Sequence, residues 1–121
     1  MNIGLDMMGG DYAPLEAIKG IALYLSAADI NTDVKLTLIG KQDTINELLL
    51  SHNIPPGAVS VIHAEQEIEM HEHPTKALKE KQQSSIAIGF HLLASGKIDA
   101  FISAGNTGAM MVGALFSIKA L

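Results

Sequence analysis

The sequence predicts an α/β protein in three layers, αβα, around a mainly parallel sheet. Three observations predict it. Short β-rich apolar runs alternate with longer stretches of helical spacing, the pattern of consecutive βαβ units. Two of the strand-like runs end in glycine-rich turns that lead into helices. Hydrophobic residues make up 48% of the 121, so the chain can pack a core, and with aromatics at 4% and no Trp that core is aliphatic.

Residues 2–6 read as the first strand, stopped by Gly9 and Gly10. Over 14–28, Leu15, Ile18, Ala22 and Leu25 recur at three and four, which predicts a helix. Pro14 suits its first turn, where a missing N–H costs nothing, and Asp11 is placed to cap it. Residues 34–39 form the second strand, closed by Gly40. A helix follows over 43–50 with Asp43 as its cap, then a turn over 53–57 with two prolines. Residues 59–63 form the third strand. Residues 64–74 are polar, rich in Glu and His, and read as a loop or short helix. Residues 84–95 are helical, with Ile86, Phe90 and Leu93 on one face and Gly96 as the stop. Residues 98–103 form the fourth strand, residues 105–108 a tight turn, and 109–120 a last helix. That helix is apolar nearly all round and runs to Leu121 without a polar tail. Such a helix needs cover, which reads as a truncated chain or a covering partner. No repeat, low-complexity segment or internal linker divides the chain.

A formal net charge of −5 argues against a nucleic-acid surface, which needs a basic stripe. With no Cys, thiol catalysis, disulfides and Cys-based zinc sites are excluded from these residues. No signal peptide is apparent. The most apolar stretch, 109–118, falls short of the roughly 18 residues of a membrane span. The protein reads as cytoplasmic.

Three places could do chemistry. Parallel sheets bind ligands at the carboxyl ends of their strands. After the first strand stands Asp6-Met7-Met8-Gly9-Gly10-Asp11. Its glycines let backbone approach a ligand, and the following helix start favours an anion. Asp6 and Asp11 fit a pure anion site poorly; they could orient a basic residue, hold a metal or cap, and the whole run could be a plain turn. After the fourth strand stands Ser103-Ala104-Gly105-Asn106-Thr107-Gly108-Ala109. Its amides, amide side chain and hydroxyl could surround a phosphate or a carbonyl oxygen, or Asn106 or Thr107 could simply cap the helix. It has neither a P-loop ending nor a dinucleotide fingerprint. The third place is Lys79-Glu80-Lys81-Gln82-Gln83-Ser84-Ser85. It could grip an oxyanion at a helix start, or be a capping serine beside a solvated face. His71-Glu72-His73 reads as solvated loop rather than metal site, and His63 could face the ligand edge. Met7 and Met8 read as core more readily than as an acyl slot. No nucleophile elbow or Ser-His-Asp set can be assigned. Catalysis would then rest on positioning and electrostatics.

These residues resemble the PlsX phosphate acyltransferase family. The opening from Ile3 to Pro14 is similar to that family's Asp-x-Met-Gly-Gly-Asp-x-x-Pro signature. Lys79-x-Lys81-x-x-Ser84-Ser85 resembles its basic-x-Lys-x-x-Ser-Ser segment, and Ser103 to Ala109 its Ser-Ala-Gly-Asn-Thr-Gly-Ala run. The three together, in this order, are specific and span the chain. Two positions depart: Lys79 stands where Arg is usual, keeping charge but losing a bidentate fork, and Met7 where Ala is common.

The resemblance implies a fold similar to the isocitrate/isopropylmalate dehydrogenase and phosphotransacetylase group, with residues 1–121 the N-terminal portion of one larger domain, inactive alone. It implies acyl transfer from acyl-[acyl carrier protein] to inorganic phosphate, giving acyl phosphate for phospholipid synthesis, without a cofactor. It also implies a homodimer, peripheral contact with the inner membrane face, and hand-over to a glycerol-3-phosphate acyltransferase through parts outside these residues. On that reading Asn106 and Lys81 are catalytic, and Gly9, Gly10, Asp11, Ser84, Ser85, Gly105, Thr107 and Gly108 bind phosphate or substrate; no metal is expected. The alternatives are a phosphotransacetylase-like enzyme using acyl-coenzyme A and a non-catalytic phosphate or acyl-ligand binding module.

Overall fold

The computed structural model describes residues 1–10, 13–27, 33–55 and 57–118. Strand β1 (Asn2–Asp6) leads to helix α1 (Leu15–Ser26), then β2 (Lys35–Gly40), α2 (Gln42–Ser51) and β3 (Ser60–His63). Two consecutive helices follow, α3 (Pro74–Glu80) and α4 (Ser85–Ala94), before β4 (Ala100–Ile102) and α5 (Thr107–Ile118). The four strands form one parallel sheet in the order β3-β2-β1-β4.

The sheet is covered on both faces, as parallel sheets are. Leu36 and Leu38 of β2, with Ile3 and Leu5 of β1, meet α1 and α2 through Ile18, Ile21, Ile45 and Leu49. Ile39, Ile62 and Phe101 point the opposite way, into α4. Period-two alternation thus divides each strand between the two cores, and α5 packs over α3 and α4 as an outer helix. Helix α4 comes close because Gly89 leaves space for Phe101; a Cβ there would clash with the ring. Phe90 meets Phe101 edge-on at 5.4 Å, and Gly113 of α5 admits Phe90 from the other side.

The expected three-layer α/β architecture is present, with local corrections. Helix α3 falls where no helix is expected over 75–80; Pro74 at its first position and His73 as its cap start it. Asp43 is not the cap of α2. It lies within the first turn, Lys41 holds the cap position without a side-chain bond, and the Gln42 amide donates instead to His63 Nδ1 at 3.2 Å. In α1 the buried residues are Ile18 and Ile21, while Leu15 is exposed, so the apolar face is rotated from the expected one. Strand β4 is shorter than 98–103 because Ile98 turns into the core. There the Asp99 amide and carboxylate clasp the backbone of Asn2. Gly96, at φ +77°, stops α4 as expected. Helix α5 buries Ala109 and Gly113 but leaves Met111 and Leu115 exposed. Residue 28 of the first expected helix and residues 119–120 of the last lie outside the described residues.

Candidate functional site

The chain builds outward from β1 through β2 to β3, then returns to add β4 on the other side of β1. Crevices of doubly wound sheets open at such a reversal, outside the carboxyl ends of the strands. Here that point lies between β1 and β4, and both glycine turns sit on it.

The last ladder pair is Leu5 with Ile102. The next residues, Asp6 and Ser103, therefore face each other just beyond the ladder. Ser103 Oγ donates to Asp6 Oδ2 at 2.6 Å, in the range of a charge-assisted bond. The Met8 amide donates to Asp6 Oδ1 at 2.9 Å, and the Gly105 amide to Ser103 Oγ at 3.0 Å. Asp6 is buried at 8% exposure. The two turns touch: a Cβ on Gly9 would lie 2.6 Å from the Gly105 nitrogen. Gly10 has φ +91°, a conformation that favours glycine.

The Gly105 turn runs straight into α5. Asn106 is buried, and its Oδ1 accepts from the Ala109 amide at 2.9 Å, capping the helix. Its Nδ2 donates to the carbonyls of Glu69 and Glu72 at 2.9 and 3.1 Å. The amides of Thr107 and Gly108 lie in the helix's first turn, where backbone donors have no intrahelical acceptor. Gly108 is held small by Pro74, whose ring a Cβ would strike.

Residues 64–73 join this centre to the third motif. The Gln66 amide donates to the Gln83 carbonyl and its own carbonyl accepts from Ser85 N, while the Gln83 amide reaches Gln66 Oε1. Lys81 Nζ donates to the Glu67 carbonyl and to Glu72 Oε2, both at 2.8 Å. Glu72 Oε2 also accepts the Glu69 amide at 2.7 Å. The Lys81 bond, and next the Glu69 amide, hold the Glu72 carboxyl below the usual carboxylate range. Partial desolvation, then the charges of Glu69 and Asp6, push the Glu67 carboxyl up, with Lys41 and Lys81 opposing. The mouth of the site thus carries two lysines and several carboxylates together.

Gly9, Gly10, Gly105 and Asn106 converge directly, with Thr107 and Gly108 adjoining on α5. Ser84 and Ser85 are buried, and the Ser84 hydroxyl accepts from the Ala87 amide as the cap of α4. They and Lys81 connect to the turns through the 66–72 loop rather than by contact. Asp11 lies outside the described residues. His63 turns to the α2 amide and His73 to the Lys76 amide, so both serve as caps. Met7 is fully buried in the core. The Asp6–Ser103 pair escapes sequence reading because it needs the β1–β4 adjacency. Lys41 and Glu67 escape it because they stand in no motif. Below the Asp6 end, an apolar groove of about 840 Å³ runs along α1, β1 and β4. No described helix is long and apolar enough to cross a membrane.

Fold and site together define a doubly wound α/β protein with a backbone cradle at its topological switch point. The chain belongs to the family described as fatty acid synthesis protein, whose match covers residues 1–121; this is the PlsX family that the three motifs resemble. It is 44% identical over 115 residues to a phosphate acyltransferase of Dictyoglomus turgidum, covering 95% of this chain and 33% of that protein. Identity is 46% over 121 residues to a phosphate acyltransferase of Halothermothrix orenii, covering 100% and 35%. It is 44% over 122 residues to that of Nitrosococcus oceani, covering 100% and 35%. The chain spans about a third of the length of these curated relatives.

Proposed function

We propose that these residues form the phosphate-binding part of an acyltransferase that converts acyl-[acyl carrier protein] and inorganic phosphate into acyl phosphate and free carrier protein. The carrying observation is the meeting of two glycine turns at the switch point, with a capped helix start directly behind them. Glycine turns allow backbone to approach an oxyanion closely, and first-turn amides with the helix dipole favour its charge. Family membership and the names of the relatives favour phosphate as that anion.

In the proposed reaction a hydrogen phosphate oxygen attacks the thioester carbonyl. The C–O bond forms, the C–S bond breaks, and the phosphate proton leaves with the thiolate as free thiol. The first-turn amides of α5 would steady the tetrahedral oxyanion, and Asn106, whose Nδ2 protons are both engaged by the Glu69 and Glu72 carbonyls, would hold that helix start in place. Lys81 would lend positive charge through the hydrogen-bonded loop. Acyl phosphate would feed glycerol-3-phosphate acylation by a cytoplasmic homodimer touching the inner membrane face, all properties of the complete protein.

The test mixes the complete gene product with a long-chain acyl carrier protein thioester and inorganic phosphate, following acyl phosphate and free carrier protein. Phosphate-dependent release of both is expected. Turnover of coenzyme A thioesters alone would reassign the substrate, and no turnover with either would leave a binding module.

A further inference from the structure

The Asp6 carboxylate is joined to both glycine turns. Through Oδ1 it holds the Met8 amide, which begins the β1 turn. Through Oδ2 it holds the Ser103 hydroxyl, whose oxygen in turn holds the Gly105 amide of the β4 turn. The carboxylate sits where the two turns come closest, 2.9 Å from the place a Gly9 Cβ would take. An anionic carboxylate is a poor direct partner for phosphate, yet it is a strong acceptor for donors that shape a cradle.

We propose that Asp6, acting through Ser103, is a positioning residue that sets the spacing of the two turns and so the affinity of the site for inorganic phosphate. The inference rests on the phosphate reading given above. Asp6 does not touch the anion. Both its oxygens are engaged, and the hydroxyl relay transmits its position to the second turn. An amide in its place has a single acceptor oxygen. If that oxygen serves Met8, the NH₂ can donate to the second lone pair of the Ser103 oxygen, but the hydroxyl proton loses its carboxylate acceptor and the charge is gone. If it serves Ser103, two N–H groups confront each other at Met8. Either way the charge-assisted link between the turns is lost while side-chain volume is kept.

The experiment measures phosphate affinity of the complete gene product by calorimetry and the separate KM values for phosphate and thioester. Variants are Asp6→Asn, Ser103→Ala and Ser103→Thr. Loss of one bond to a charged group predicts phosphate Kd and KM raised about tenfold in the first two, with thioester KM little changed. Ser103→Thr keeps the hydroxyl and is expected to restore phosphate affinity. Wild-type phosphate affinity in Asp6→Asn and Ser103→Ala would overturn the proposal. So would a parallel rise in both KM values with a lowered melting point and no rescue by Thr, the mark of a merely structural bond. A wild-type protein that neither binds nor consumes phosphate would instead sink the underlying functional reading, and this proposal with it.

Discussion

Consider Gly9→Ala in the complete gene product. The new Cβ would lie 2.6 Å from the Gly105 nitrogen and 2.9 Å from both Gly105 Cα and Asp6 Oδ2. Carbon contacts relax at roughly 3.5–4.0 Å, so the turns must part by about 1 Å. None of the three neighbours is a flexible tip. Two are backbone, and the third is a carboxylate held by two hydrogen bonds. Overpacking of this kind costs roughly 1–3 kcal/mol of stability. The functional cost is larger, because a misplacement of about 1 Å in a positioning site can lower the rate about a hundredfold. The control is Gly20→Ala, where nothing lies within 4 Å of the added carbon. Removing a mid-helix glycine there should stabilise by about 0.5–1 kcal/mol. The assays are denaturant midpoints and kcat/KM for phosphate-dependent acyl phosphate formation. If Gly9→Ala kept its midpoint and stayed within a few-fold of wild-type kcat/KM, the contact between turns could not be what shapes the site.

Asn106→Ala removes the α5 cap and strands two carbonyls, and should cost about 2 kcal/mol or more in the denaturant midpoint. Gly89→Ala pushes a methyl into the Phe101 ring and should destabilise by about 1–3 kcal/mol; chemical denaturation decides it. Glu72 is held below the usual carboxylate range chiefly by Lys81. A depressed folded value contributes stability above the unfolded carboxylate range and loses it as pH falls through the folded value. Glu72→Gln should therefore flatten the acid side of the melting-temperature profile, and an unchanged acid slope would refute the Lys81 assignment.

The fold class was legible because parallel strands buried on both faces read as near-continuous apolar runs, as over 36–39, where Thr37 alone is polar. Glycine placements were legible too, since Gly96 must turn with positive φ wherever α4 ends. Helix caps were less so. Asp43 has the right chemistry two residues too late, while the acceptor used, His63, comes from 21 residues away. Helix α3 lacks an apolar face long enough to announce itself: its buried residue is Ala77.

The candidate site divides along the same line. Gly9, Gly10, Gly105 and Asn106 could be named from local pattern, because a glycine turn before a helix start permits close backbone approach to an anion at any place in a fold. What gives them a common centre is the pairing of Asp6 with Ser103 across 97 residues. Local periodicity predicts that both residues end strands, yet it says nothing about which strands are neighbours. Only when the chain reverses past β1 to lay down β4 do a carboxylate and a hydroxyl become partners. The same topology explains why Lys81 meets the centre through a loop: its ammonium is anchored on Glu67 and Glu72, and Asn106 grips the carbonyl of that same Glu72. A change at Lys81 should thus reach phosphate through the Asn106 cap as well as through charge. Lys81→Gln, which keeps a donor but removes the charge, separates the two routes. Loss of phosphate affinity with α5 still capped would mark the charge as decisive, and a shift in stability alone would mark the loop.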